Sequence, residues 1–109
     1  MQLPPDKENE LRNASLLLLG EPRRLFLLRM LMLRECTAEE LMEASGYGRT
    51  GVSRALLTLR DHGFIIERRQ QVNHLGAPKT FYRANSEKVR ETLRNLTEII
   101  APDYDPELP

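Results

Sequence analysis

The chain has no tryptophan, one cysteine and two histidines in 109 residues. A lone thiol, Cys36, makes no internal disulfide and supplies no thiolate cluster for a metal. His62 and His74 stand outside any His-Glu pattern with metal-site spacing, so no metal and no cofactor is expected. A phosphate-cradling glycine loop is also missing, and the carboxylates sit beside arginines or on polar helix faces, so catalysis is not expected. No uncharged apolar run approaches the roughly 18 residues that cross a bilayer. The richest stretch, Leu25 to Leu33, is broken by Arg29. Where a signal peptide has a basic cap and an apolar run, this sequence has Pro4, Pro5, Asp6, Glu8 and Glu10. These absences predict a cytoplasmic protein with no membrane partner, and its length suits one domain.

Net charge is absent as well: 16 Lys and Arg balance 16 Asp and Glu. The zero hides a pattern. Residues 49–83 carry seven Lys or Arg against two acids, residues 1–48 carry six against eight, and residues 84–109 three against six. A polyanion responds to the local field, so the basic middle counts for more than the total.

Residues 1–5 and 101–109 read as tails, the first disordered with paired prolines, the second acidic and proline-broken; the folded domain is expected over 6–100. A first helix is predicted from near Asp6 to before Gly20, with acids in its opening turns where they complement the helix dipole. Its Leu11, Ala14, Leu16, Leu17, Leu18 and Leu19 crowd more than one face, which predicts packing on two surfaces. Pro22 suits the first turn of a second helix, running to about Arg34. Leu25, Phe26, Leu28, Leu31 and Met32 are expected to place that helix at the centre of the core.

Thr37 followed three residues later by Glu40 has the pattern of a reciprocal cap on a short helix holding Leu41, Met42 and Ala44. Ser45-Gly46-Tyr47-Gly48 permits a tight turn. A further helix is predicted from about Thr50 to His62, with Val52, Leu56 and Leu59 on its inner face and Gly63 to stop it. Capped helix, glycine turn and second helix together make a helix-turn-helix. Phe64 to Arg69 and Lys79 to Ala84 are β-prone and flank the polar Gln70 to Pro78, which predicts a β-hairpin with a long basic tip. Asn85 or Ser86 is expected to cap a last helix through Ile100, where Val89, Leu93, Leu96 and Ile100 form a narrow apolar seam. The predicted fold is mostly α with a small β-hairpin.

This order of elements resembles a winged helix-turn-helix DNA-binding domain of the ArsR/TrmB/MarR-like superfamily. Leu19-Gly20-Glu21-Pro22-Arg23-Arg24-Leu25 is similar to the segment that opens the second helix of ArsR-type repressors. The likeness continues through Thr37-Ala38-Glu39-Glu40-Leu41, Gly51 to Leu59 and Gly63-Phe64. The stretch Leu75-Gly76-Ala77-Pro78 through Ala84 looks more like the wings of TrmB-like regulators. One departure matters: Glu40 to Ser45 holds no Cys or His where metal-sensing relatives carry a Cys-containing signature, so metal sensing is not carried over.

The resemblance implies a sequence-specific transcriptional regulator bound to double-stranded DNA. A recognition helix from Thr50, its inner face taken by Val52, Leu56 and Leu59, turns Arg49, Thr50, Ser53, Arg54 and Leu57 outward to the major groove. Arg54 can chelate a guanine edge, Thr50 and Ser53 can bond phosphate or base, and Leu57 can meet a thymine methyl. Wing candidates are Arg68, Arg69, Gln71, Asn73, His74 and Lys79, placed over the backbone or minor groove. Two flanking helices are expected to form a homodimer through Leu11, Leu16–Leu19, Val89, Leu93, Leu96 and Ile100, giving a pseudo-palindromic operator; the same residues can instead fold back on their own core. A Leu/Met-lined cleft there, with Arg23, Arg24 or Arg29 at its rim, is the one place left for a small-molecule effector, which nothing in the sequence supports. The competing class is a winged-helix adaptor whose basic face meets an acidic protein.

Overall fold

The structure, a computed structural model, describes residues 5–15, 21–71, 74 and 76–103. Leu16–Leu19 and Asn73 among the expected site residues lie outside them, as do most of the two expected tails. Pro5, expected in the N-terminal tail, opens the first helix. The described elements run α1 (Pro5–Ala14), α2 (Pro22–Leu33), β1 (Cys36–Thr37), α3 (Ala38–Ser45), α4 (Arg49–Asp61), β2 (Ile65–Gln70), β3 (Lys79–Ala84) and α5 (Ser86–Ile100). The predicted mostly helical fold with a β-hairpin is what the chain adopts, and the hairpin gains a third strand: β1 pairs antiparallel with β3, giving the order β1-β3-β2. Two residues are too few to show strand periodicity in a sequence.

Several helix boundaries have a local cause. Glu21 caps α2 by accepting from the Arg23 N–H, with Pro22 just inside. The Thr37 hydroxyl accepts from the Glu40 N–H at 3.2 Å while the Glu40 carboxylate accepts from the Thr37 N–H at 2.9 Å. That reciprocal cap holds the Glu40 carboxyl below the usual carboxylate range, through its bond from the Thr37 backbone first and the Thr37 hydroxyl second. Gly46 ends α3 at φ 76°, a left-handed conformation that costs glycine little. Asn85 caps α5 by accepting from the Lys88 N–H, and its amide donates to the Gly63 carbonyl, so the same residue ties α5 to the turn after α4.

The core is formed by Leu27, Leu28 and Leu31 of α2, Cys36, Leu41, then Val52, Ala55, Leu56 and Leu59 of α4, with Phe64, Ile65, Ala84 and Val89 closing it. The expected inner face of α4 is the observed one. On α2 the expectation fails in part. Leu28 and Leu31 are buried, but Leu25, Phe26 and Met32 are 47%, 41% and 40% exposed, and Leu27 is fully buried in their place. An apolar residue at nearly every position from Leu25 to Leu33 leaves the period uninformative, so packing against α4 and β3 decides which stripe goes inward. On the far side α1 packs along α5.

Candidate nucleic-acid interface

With Val52, Ala55, Leu56 and Leu59 committed to the core, geometry at 100° per residue sends the opposite stripe of α4 to solvent. Arg49, Thr50, Ser53, Arg54 and Leu57 are all exposed. Thr50, Ser53, Arg54 and Leu57 fall at i, i+3, i+4 and i+7, one continuous stripe about two turns long. Gly48 is the N-cap and makes no side-chain cap bond, so neither Thr50 nor Ser53 is used as the cap. Leu57, 49% exposed, is an apolar residue in a polar row. At the other end His62 caps the helix, its Nδ1 2.9 Å from the Thr58 carbonyl.

The hairpin divides its cations between two faces. In the observed register Ile65 is opposite Ala84, Glu67 opposite Tyr82 and Arg69 opposite Thr80. Directly opposed residues share a face. Ile65 and Ala84 are buried against the body, and Glu67 pairs with Arg60 of α4 at 3.5 Å. Arg69 therefore projects from the α4 side of the hairpin. Desolvation on that face, with Glu67 nearby, raises the Tyr82 hydroxyl above its ordinary pKa.

Arg68, its chain neighbour, takes the other face with Phe81, Gln70 and Lys79. Its guanidinium lies 4.5 Å from the centre of the Phe81 ring. It donates to both oxygens of Glu35, Nη2 to Oε1 at 2.6 Å and Nε to Oε2 at 2.8 Å, and its Nη1 donates to Gln70. This bidentate bond holds the Glu35 carboxyl below the usual carboxylate range and raises Arg68. The two arginines that the sequence groups together thus do different things. The signal missed in the sequence is Glu35, 33 positions from Arg68, which only the three-stranded sheet brings beside it. Gln71 donates to the Gly76 carbonyl within the loop, while His74 and Lys79 are exposed.

A second surface is apolar. Between α2 and α5 a groove of about 480 Å³ is lined by Pro22, Leu25, Phe26, Arg29, Met32 and Leu93 among others. The expected α5 seam is split. Val89 is buried in the chain's own core, whereas Leu93 and Ile100 are 46% and 66% exposed and Leu96 is half-buried. Leu11 lies on α1. Among the described residues no group of three or more His, Cys, Asp or Glu is placed to hold a metal ion, and no helix is long and apolar enough to cross a membrane.

A capped helix, a glycine turn, an exposed polar stripe on the second helix and a β-hairpin beside it define a winged helix-turn-helix. No family model and no curated relative matches the sequence. Solved structures do. NolR from Sinorhizobium fredii is similar at 27% identity over 92% of this chain and 96% of that one, with a TM-score of 0.64. The transcriptional repressor BigR from Xylella fastidiosa is similar at 26% identity over 88% and 91%, TM-score 0.63. An ArsR-like transcriptional regulator from Rhodococcus sp. RHA1 superimposes with a TM-score of 0.71 at 22% identity over 89% and 85%. The chain shares the winged-helix fold of these ArsR-like transcriptional regulators.

Proposed function

We propose that the protein is a sequence-specific, double-stranded-DNA-binding transcriptional regulator that works as a homodimer on a pseudo-palindromic operator. The observation that carries this reading is the outward stripe of α4, where Arg49, Thr50, Ser53, Arg54 and Leu57 are exposed together on the second helix of a helix-turn-helix. Such a helix enters the major groove, and a guanidinium at the position of Arg54 matches the paired acceptors of guanine. Arg49 and Thr50, at the first turn, contact phosphate; Ser53 contacts phosphate or base; Leu57 meets a thymine methyl. Arg69, on the α4 side of the hairpin, binds the backbone beside the groove, and Lys79, on the opposite face at the loop end of β3, reaches the backbone from the tip. His74 and Gln71 line the same loop, while Arg68 is occupied in holding the hairpin to Glu35.

Two copies of a module this small bind as one unit because the second engagement is intramolecular. Support for a two-fold partner comes from the exposed Leu93 and Ile100 of α5 and from Leu25, Phe26 and Met32, which continue the same apolar surface across the groove. Such a dimer sets half-sites about 34 Å apart. Selection of bound duplexes from a random pool tests the reading. A recovered inverted repeat supports both specificity and symmetry; recovery of no enriched sequence, with binding abolished by heparin on every duplex alike, contradicts it.

A further inference from the structure

Beside the stripe of α4 lies a cleft of about 370 Å³ lined by Glu21, Arg23, Arg24, Gly51, Arg54 and Leu57 among others. It joins the start of α2, outside the helix-turn-helix, to the flank of α4. Three arginines against one glutamate make it cationic. Its lining includes Arg54 and Leu57, both on the proposed reading face, so whatever fills the cleft sits at the edge of that face.

Arg23 is held in place there. Its guanidinium lies 5.9 Å from the centre of the Tyr47 ring in the turn before α4, and Tyr47 is itself braced edge-on by Phe26, with ring centres 6.1 Å apart. Glu21, occupied in capping α2, lies 3.5 Å from the Arg23 Nε. The Arg23 Nη1 lies against α4 at Gly51. A Cβ added to Gly51 would lie 2.8 Å from Arg23 Nη1, so the guanidinium lies close against the first turns of α4. Arg23 stays half exposed in this position, its side chain 50% accessible.

We propose that this cleft binds a phosphodiester of the DNA backbone, with Arg23 as its principal donor and Arg54 on the adjacent wall. A guanidinium braced at Nε by Glu21 and at Nη1 by α4, yet half exposed, suits a charge-assisted bond to a phosphate oxygen. The contact clamps α2 to the strand that passes the entry of α4 and sets how deep α4 sits. It rests on the DNA-binding reading and adds to it a contact from outside the helix-turn-helix and the wing, since phosphate contacts position a protein while base contacts specify.

The experiment uses the full chain and the duplex selected by the wild type. Arg23→Gln is expected to weaken binding about tenfold per protomer, as for one charge-assisted hydrogen bond, so about a hundredfold for the dimer, and by the same factor on an unrelated duplex. The slope of log affinity against log salt should flatten by about 1.8 for the dimer, about 0.9 for the one phosphate held by each protomer, while Arg23→Lys keeps the slope. Neutralising phosphates one at a time as methylphosphonates should reveal one position that weakens the wild type and leaves Arg23→Gln unaffected. Unchanged slope and an unchanged methylphosphonate profile in Arg23→Gln overturn the inference while leaving DNA binding standing. Wild type that binds no duplex at low salt overturns both. Thermal stabilisation by inorganic phosphate at matched ionic strength, lost in Arg23→Gln without any change on duplex, assigns the cleft to a small anion and overturns it too.

Discussion

Arg68 crosses the face of Phe81 to grip both oxygens of Glu35, closing a contact between residues 33 apart. The bond spans all three strands, from β2 over β3 to the residue before β1. It fixes the base of the hairpin to the end of α2, so the wing leaves the body at a set angle. Its neighbour Arg69, one residue on, faces the other way and remains exposed.

The division predicts different outcomes for two substitutions that look equivalent in sequence. Arg69→Ala should flatten the log affinity versus log salt slope on DNA by about one unit per protomer, about two for the dimer. Arg68→Ala should leave that slope unchanged and lower the melting temperature instead. Parallel fluorescence titrations at several salt concentrations, with thermal melts of the free proteins, check both.

The Glu35 contact also has a pH signature. Its carboxyl is held below the usual carboxylate range by the hydrogen bonds from Arg68. A depressed folded-state pKa stabilises the protein above the unfolded value, and that contribution is lost as pH falls through the folded value. Glu35→Gln should therefore be less stable than wild type at neutral pH, and the gap should close on acidification below the carboxylate range. Glu40, lowered by its capping bonds, is present in both proteins and cancels from the comparison. Denaturant titrations from neutral to acid pH measure the gap; a constant difference would contradict the account.

The apolar surface gives a third test. Leu93→Glu with Ile100→Glu places charge on two exposed positions of α5 while sparing Val89, which the core needs. The pair should leave the monomer's melting temperature nearly unchanged, shift sedimentation from dimer to monomer and weaken operator binding by 10²-fold or more. Retained dimer would move the interface elsewhere.

Where local chemistry decides, the sequence was legible. Thr37 and Glu40 announce their cap because both partners lie within four residues, and Val52, Leu56 and Leu59 announce the inner face of α4 because their i, i+4, i+7 spacing sets them on one side, with Ser53, Arg54 and Thr58 between them. On α2 the run from Leu25 to Leu33 offers every face at once, and only the packed neighbours chose Leu27 over Leu25 and Phe26. The wing was legible as a hairpin but not as a hairpin with two sides, since alternation says nothing until register with β3 and burial of Ile65 fix the orientation. Glu35 and Gly51 acquire their roles from distant partners, Arg68 and Arg23, and no spacing rule links them.

If the exposed stripe of α4 reads base edges, Arg54 is the side chain whose loss must show it. Affinities of wild type and Arg54→Ala are measured on the selected duplex and on every single-base variant of one half-site. The account predicts a loss of about 1–3 kcal/mol on the selected duplex, together with lost discrimination at one base pair and unchanged discrimination at the others. Equal weakening on all duplexes, random ones included, would leave Arg54 a phosphate contact and contradict the claim.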